Sequence, residues 1–195
     1  MSGAGVMILS GEVPSGSLCS TDEISALIEE LQYTLGEGPC VDACRSHDAV
    51  LVPDLVADDA SRWMGFAPRA IEAGVRAMFA FPLQVGGARL GAVDLYRDEA
   101  GPLTADQHAD ALVLADVLAQ WVVDIQAEAP PGTLAHELSS ADLHFVVHNA
   151  AGVVSVQLGV GIAEALIRLR AYAFSNDRRL QDVAEDVVAR RLRFE

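Results

Sequence analysis

The chain has 195 residues, is 51% hydrophobic and carries a formal net charge of −15. This length suits one large domain or two small ones and can bury a substantial core. The sequence contains no apolar run long enough to cross a bilayer, and its first nine residues lack the positive charge that opens a secretory signal. We therefore expect a soluble cytoplasmic protein that does not enter a membrane.

The acidic residues lie mainly in the first two thirds of the chain. Before Thr133 there are six arginines against 20 acidic residues, whereas from Thr133 onward there are seven arginines against eight acidic residues. A charge of −15 argues against a nucleic-acid partner for the chain as a whole, but its distribution weakens that argument for the nearly neutral tail.

The sequence has three cysteines, Cys19, Cys40 and Cys44. An odd number in a presumed reducing compartment argues against a disulfide scaffold. Cys40 and Cys44 would share one face of a helix, which leaves a redox or metal role open. Two thiols without a placed histidine or acid form an incomplete metal site, so we favour buried structural cysteines.

A hairpin and a helix are predicted at the start of the chain. Val6–Leu9 reads as a strand, Gly11–Ser17 as a turn, and Leu18-Cys19 as the beginning of a second strand. Ser20 and Glu23 have the spacing of a helix capping box. The apolar stripe of the following helix, which should end near Gly36, consists of Ile24, Leu27, Ile28 and Leu31.

The middle of the chain has the clearest strand signal. Val50–Val52 reads as a strand, and Arg62–Ala73 as a short helix that ends at Gly74. Ala77–Val85 and Ala88–Tyr96 flank Gly86-Gly87, a two-residue connection suited to a tight hairpin. We expect this apolar strand pair to lie at the centre of a sheet.

A long helix is predicted to follow the hairpin. Thr104 and Gln107 form a capping box, and the apolar spacing continues to about Glu128. One apolar stripe comprises Ala111, Leu114, Leu118, Trp121 and Ile125, and a second comprises Leu112, Ala115, Ala119 and Val122. One stripe would cover the sheet and the other would meet the same helix of a second copy. The alternative is one wide buried face on a monomer.

The stretch from His148 to Ala184 is typical of three short helices around one small core. Gly159 and Gly161 bracket the first break, and residues 175–177 favour turns and caps at the second. The apolar residues at helical spacing are Ala150, Val154, Val156, Leu158, Ala165, Leu166, Leu169, Ala173, Leu180, Val183, Ala184 and Val187.

The pattern of the tail is similar to that of the ANTAR domain. The matching positions are Asn149, Ala150 and Gly152, then Glu164, Ala165, Leu166, Leu169, Arg170 and Ala173, then Leu180, Val183 and Ala184. ANTAR domains are three-helix RNA binders that act in transcription antitermination, so the resemblance implies an RNA-binding bundle that recognises hairpin loops in leader transcripts. This chain departs from the family in having Ala151 where a lysine is usual.

Six residues are candidates for RNA contact. Arginine and aromatic side chains can stack on the unpaired bases of an RNA loop, and positive charge binds its backbone. Arg178 and Arg179 also lie near a helix start, where backbone N–H groups attract phosphate. One or two of these arginines could instead hold the bundle together through ion pairs. The candidates are Asn149, Arg168, Arg170, Tyr172, Arg178 and Arg179.

The first two thirds of the chain resemble a GAF sensor domain. The residues that carry this resemblance are Gly36-Glu37-Gly38-Pro39-Cys40 before the Val50 strand, and the Ala77–Tyr96 hairpin before a long helix. The resemblance implies a cavity that could hold a small-molecule signal. The candidates to line it, which could equally be ordinary core, are Trp63, Met64, Phe66, Phe79 and Phe81.

These patterns predict an α+β chain: a GAF-like antiparallel sheet with flanking helices, then an all-α three-helix ANTAR-like bundle. The predicted domains are residues 1–129 and 135–195, joined by a linker at 130–134 that contains Pro130-Pro131-Gly132. We find no catalytic signature and expect neither an enzyme nor a cofactor. His144 and His148 would share a helix face, but without further ligands they do not predict a metal site.

The leading hypothesis is a homodimeric regulator in which a GAF-like sensor controls an RNA-binding antitermination unit. The alternative is a signalling or scaffold protein whose ANTAR-like bundle no longer binds RNA and instead binds protein. Ala151 and the lack of net positive charge in the tail favour this alternative.

Overall fold

The computed structural model describes residues 1–10, 13–57, 62–128, 142–176 and 178–195. Its chain separates into two units, Met1–Leu138 and Ser139–Glu195. The predicted linker at 130–134 lies outside the described residues.

Among the described residues, the first unit contains a five-stranded antiparallel sheet and four helices, in agreement with the predicted fold class. The strands lie in the order β2-β1-β5-β4-β3. Their bounds are β1 Gly3–Ser10, β2 Val13–Ser20, β3 Val50–Val52, β4 Ala77–Val85 and β5 Ala88–Arg97. The helices are α1 Glu23–Leu35, α2 Pro39–Ser46, α3 Phe66–Glu72 and α4 Ala105–Glu128.

Both predicted hairpins form, although the first differs from its prediction. β2 already begins at Val13, so the predicted turn Gly11–Ser17 is wrong for Val13–Ser17, and residues 11–12 are not described. The register of the β1–β2 pairing shifts between Val6 and Met7 and again between Ile8 and Leu9. The β4–β5 hairpin turns at Gly86, whose φ of 58° favours glycine.

β1 and β5 approach closely at Gly91. The residue pairs with Ile8, and a Cβ added at Gly91 would lie 1.9 Å from the carbonyl oxygen of Met7. Only a residue without a side chain fits between the two backbones at this point.

The two faces of the sheet are covered by different helices. The face beneath α4 carries a large apolar cluster, because alternate residues of each strand point to the same side. Its buried strand residues are Val6, Ile8, Leu18, Ala77, Phe79, Phe81, Leu83, Leu90, Val93 and Leu95. Helices α1 and α2 cover the other face, onto which Asp94 projects from β5.

Helix starts follow from local hydrogen bonds. At α4 the predicted capping box is confirmed, since the Thr104 hydroxyl accepts from the Gln107 backbone N–H and the Gln107 side chain accepts from Thr104 N–H. At α1 the prediction is wrong, because the cap is formed by Asp22 with Ser25. Ser20 cannot serve, since it pairs with Gly5 at the end of β2.

In residues 142–176 and 178–195, the second unit forms three helices, α5 Asp142–Leu158, α6 Ile162–Ser175 and α7 Leu180–Val188. Each packs against the other two. The buried residues are Val147, Ala150, Ala151, Val154, Ala165, Leu166, Leu169, Ala173, Leu180, Val183, Ala184 and Val187. Val156 was predicted to join this core, but its side chain is 84% exposed.

Within the described ranges, no single helix has the length and apolar character needed to span a membrane. α5 and α6 pass the same test of length and composition only when taken together, and they are bent by 104° at the break between them.

Candidate functional site

A buried polar cluster lies between the sheet and the helices of the first unit. Gln32 of α1 donates a hydrogen bond from its Nε2 to Asp94 on β5, and its Oε1 accepts from the backbone N–H of Cys40 at 2.8 Å. One amide side chain thereby links β5 to the start of α2. Gln32 and Asp94 are almost completely buried, so hydrogen bonds to each other and to Cys40 replace those that water would supply.

Glu29 lies one helical turn before Gln32 and brings a second carboxyl group to the cluster. Its side chain is 1% exposed, and its carboxyl group lies beside that of Asp94. Burial, followed by repulsion from Asp94, raises the pKa of Glu29 well above its usual range. Burial also raises the pKa of Asp94 to about 7, against hydrogen bonds from Gln32 and Cys40 that lower it. The arrangement can hold a proton near neutral pH.

Two glycines leave room for these polar side chains. A Cβ at Gly5 would lie 2.5 Å from a carboxyl oxygen of Glu29, and one at Gly38 would lie 2.5 Å from the Gln32 Oε1. This cluster was not predicted from the sequence. Leu27 was expected on the buried side of α1, whereas the Leu27 side chain is 42% exposed. The polar residues Ser25, Glu29 and Gln32 recur at helical spacing, and this pattern could have indicated a polar buried side of α1.

The cysteines of α2 lie next to the cluster. Cys40 and Cys44 are buried, as predicted, whereas Cys19 on β2 is exposed. The neighbouring Cys44 side chain and burial raise the pKa of the Cys40 thiol, so at neutral pH it stays protonated and poorly nucleophilic. No group of three or more potential metal ligands occurs within the part of the chain that the structure describes.

The five residues predicted to line a ligand pocket do not come together. Phe79 and Phe81 point toward α4, on the apolar face of the sheet. Trp63 and Phe66 pack edge to face at 6.3 Å, and the Trp63 indole N–H donates to Asp42 of α2. Met64 is 75% exposed. The alternation of β4 therefore separates the two phenylalanines from the residues near α3.

The start of α3 is held by Glu37. One carboxylate oxygen of Glu37 accepts from the backbone N–H groups of Gly65 and Phe66, at 2.6 and 2.9 Å. Nearby, the guanidinium of Arg62 lies 4.4 Å from the centre of the Trp63 ring and pairs with Asp42 at 3.1 Å. These bonds attach the segment before α3 to α2 and to the end of α1.

In the second unit, most of the candidate RNA-binding arginines form ion pairs. The distances are 3.0 Å for Arg168–Glu164, 2.6 Å for Arg178–Asp186 and 2.6 Å for Arg179–Asp182. Asp186 also accepts from Arg191 at 2.6 Å. These pairs leave little uncompensated positive charge at the start of α7.

The other candidates differ in exposure. Asn149 is exposed on α5, whereas Arg170 and Tyr172 of α6 are half-buried. The Tyr172 ring packs edge to face on Phe194 at 5.4 Å. Ala151 is completely buried in the core of the three helices, so this position is not part of an exposed RNA-binding face.

Comparisons with known proteins agree with the architecture of the first unit. The sequence profile of the GAF domain matches residues 4–121, more than half of the chain. The chain belongs to the GAF domain family. No curated protein matches the chain.

Solved structures similar to this GAF domain show the fold. A domain of a putative two-component sensor histidine kinase from Sinorhizobium meliloti 1021 is 16% identical, with a TM-score of 0.50 over 65% of this chain and 81% of its own. A GAF domain of a phosphoenolpyruvate-protein phosphotransferase from Coxiella burnetii is 13% identical, with a TM-score of 0.50 over 65% and 74%.

A third similar structure is the photoproduct state of a GAF3 domain from Synechocystis sp. PCC6803. It is 15% identical, with a TM-score of 0.50 over 65% of this chain and 84% of its own. At these identities the likeness supports the GAF fold and nothing finer. Because a GAF domain is generally a signal-sensing module, the first unit is a sensor domain.

The α4 helix of the GAF domain has one buried and one exposed apolar side. The buried row is Ala111, Ala115, Ala119 and Val122. It combines members of both predicted stripes. The prediction was wrong in grouping Leu112, which is 46% exposed, with Ala115, and in grouping the buried Ala111 with Leu114 and Trp121. The exposed apolar residues opposite this row, which we call the outer face of α4, are Val113, Leu114, Val117 and Trp121.

Proposed function

We propose that this chain is a signal-responsive RNA-binding regulator of transcription antitermination, in which the GAF domain controls an ANTAR-like output unit. The observation that carries the proposal is the agreement between the ANTAR-like pattern and the core of the second unit. The apolar positions of that pattern, from Ala150 to Ala184, are buried residues on three mutually packed helices. The proposal involves no catalytic step and no cofactor.

The ion pairs of the second unit are compatible with RNA contact by its arginines. Exposed pairs contribute only about 0–1 kcal/mol, and the side chains of Arg168 and Arg179 are 58% and 78% exposed. A phosphate can therefore replace the carboxylate at little cost. The proposed RNA contacts are Asn149, Arg168, Arg170, Tyr172, Arg178 and Arg179.

We further propose that two copies associate through the outer face of α4. Val117 and Trp121 are one helical turn apart, and their side chains are 60% and 45% exposed, an arrangement that a second copy of the helix would bury. Two copies would bind two hairpin loops of one transcript with a raised effective concentration. The signal, a small molecule in this proposal, would shift the pairing of the two copies.

Dimerisation is tested by sedimentation of the full chain at several concentrations. Val117→Glu should weaken self-association about tenfold or more, since it places like charges opposite each other. Val85→Glu is the control, because Val85 is an exposed valine of the β4–β5 hairpin. Equal sedimentation of the wild type and Val117→Glu would exclude this interface.

The RNA-binding role is tested by a gel shift with labelled leader RNAs that carry paired hairpins. Binding should weaken steeply between about 50 and 200 mM salt, because arginines release counterions from phosphates. The second candidate function is a protein-binding scaffold. It is favoured by the pairing of Arg178 and Arg179 with aspartates, and absence of any shift at low salt would support it over RNA binding.

A further inference from the structure

Two arginines of the second unit differ from the rest. Arg168, Arg178, Arg179 and Arg191 each pair with a carboxylate. Arg190 and Arg193 are exposed, and the structure places no carboxylate of a described residue within ion-pair distance of either. Both lie in the segment that follows α7.

The chain reverses direction at Arg190. Its φ of 59° lies in the left-handed region, which favours glycine or asparagine at the end of a helix. An arginine in this conformation is strained relative to glycine, because its Cβ approaches the following carbonyl oxygen. A large cationic side chain at a position that suits glycine points to a use for the side chain itself.

The segment after Arg190 returns to α5. The backbone N–H of Phe194 donates to the Gln157 side chain at 3.0 Å, and the Phe194 ring packs against Tyr172 of α6. These contacts fix the segment at two points, so Arg190 and Arg193 are held on one side of the unit.

An open cleft lies between this segment and α5. Its volume is about 410 Å³, and it is lined by Val153, Gln157, Arg190, Arg193, Phe194 and Glu195. A volume in this range holds a small ligand. The lining offers an aromatic ring, two guanidinium groups and an apolar wall, the combination that binds an unstacked base together with its phosphates.

We infer that this cleft receives one nucleotide of a single-stranded RNA loop, with the base on Phe194 and its flanking phosphates at Arg190 and Arg193. The inference rests on the proposed RNA-binding function and places the main contact away from the arginines of α6 and α7. Arg178 and Arg179 are compensated by aspartates, whereas Arg190 and Arg193 offer charge to phosphate without first breaking a described ion pair. Glu195 opposes the anion from the rim of the cleft.

The test measures fluorescence anisotropy of the full chain with a labelled pool of RNA stem-loops that have a short randomised loop. Two double variants remove the same charge: Arg190→Gly with Arg193→Gln, and Arg178→Gln with Arg179→Gln. The first should weaken binding about tenfold or more. The slope of log K against log salt concentration should also become shallower by about 1.4, because two single-strand phosphate contacts are lost. The second should weaken binding less than the first, because Arg178 and Arg179 exchange one anionic partner for another and so gain less from phosphate.

Two single variants sharpen the test. Phe194→Leu keeps an apolar side chain but removes the stacking surface, and should weaken binding about fivefold or more. Glu195→Gln removes the opposing carboxylate and should strengthen binding. Arg190→Gly alone should weaken binding while raising the thermal midpoint of unfolding, because glycine relieves the left-handed backbone. If Arg190 had only a structural role, Arg190→Gly would not weaken RNA binding while raising the thermal midpoint.

The outcomes distinguish the inference from the function on which it rests. If the wild type fails to bind the pool even at low salt, both the RNA-binding function and the cleft are excluded. If the wild type binds and the two double variants lose affinity equally, or only the Arg178/Arg179 variant does, RNA binding stands and the cleft is overturned. Unfolding followed by circular dichroism establishes that each variant is folded.

Discussion

The two units place their carboxyl groups in opposite settings. The GAF domain buries Glu29 and Asp94 against each other, and burial raises the pKa of both. In the second unit, Asp186 accepts hydrogen bonds from Arg178 and Arg191, which lower its pKa, and Arg179 does the same for Asp182. The buried carboxyl groups of the first unit and the ion-paired aspartates of the second should therefore contribute to stability with opposite dependence on pH.

Whether stability rises or falls with pH depends on which state, folded or unfolded, binds the proton more tightly. A buried acid with a raised pKa keeps its proton in the folded state, so its contribution to stability is present at low pH and is lost as the pH rises through the folded pKa. An ion-paired aspartate with a lowered pKa contributes above the unfolded pKa, and this contribution is lost as the pH falls. The GAF domain should therefore weaken toward neutral pH, and the second unit toward strongly acidic pH.

The largest expected effect is the pH dependence of the GAF domain. Raising the pKa of Asp94 from 3.8 to about 7 corresponds to a loss of about 4 kcal/mol in the free energy of unfolding across that range, at about 1.4 kcal/mol per pKa unit. Tryptophan fluorescence during denaturation measures this domain, because both tryptophans, Trp63 and Trp121, belong to it.

Asp94→Asn supplies the matched control for this prediction. The amide cannot ionise, so the stability of the variant should fall less between pH 4 and 7 than that of the wild type and should exceed it at pH 7; the buried Glu29 accounts for the pH dependence that remains. Parallel pH profiles for the two proteins would show that Asp94 is not the titrating group.

Removal of the Gln32 side chain should have the next largest effect. Gln32→Ala leaves the Asp94 carboxyl without its donor and the Cys40 N–H without its acceptor, and should lower the free energy of unfolding by about 2–3 kcal/mol. It should also move the pH midpoint upward, since the bond from Gln32 lowers the pKa of Asp94.

Gln120→Ala is the control for Gln32→Ala. Gln120 also donates to an aspartate, Asp124 at 3.1 Å, but on the exposed side of α4. Its loss should change stability by less than about 0.5 kcal/mol. If the two variants lost similar amounts of unfolding free energy, burial of the cluster would not explain the destabilisation caused by Gln32→Ala.

The smallest expected effect concerns the second unit. Asp186→Asn removes the carboxylate shared by Arg178 and Arg191, and should lower the thermal midpoint of that unit and flatten its response to acid. Circular dichroism detects the change as a helical transition that tryptophan fluorescence does not follow. Glu185→Gln, an exposed neighbour that accepts from Gln181, removes the same charge and should leave the transition unchanged.

Patterns confined to short segments of sequence were sufficient for much of the fold. The β4–β5 hairpin and the Thr104–Gln107 cap form as predicted because each depends on residues close in sequence. The cap of α1 was missed because Ser20 and Asp22 are both suitable residues, and the choice depends on where β2 ends. That end is set by pairing with β1 and not by local preference.

The candidate site could be predicted only in part. Glu29 and Gln32 are polar, and on sequence alone a polar residue on a helix is assigned to solvent. Their burial requires Asp94 and the two glycines that face them, which are distant in sequence. Likewise, the spacing of Phe79 and Phe81 places both on one face of β4, but only the topology shows that α4 covers that face.

Gly91 has a consequence for how this protein can vary. A methyl group there would collide with the backbone of Met7, which no side-chain rearrangement can relieve. Gly87, by contrast, faces open space. In a saturation mutagenesis experiment, position 91 should return glycine alone while position 87 accepts many amino acids, so the central pair of strands tolerates far less sequence drift than the turn a few residues away.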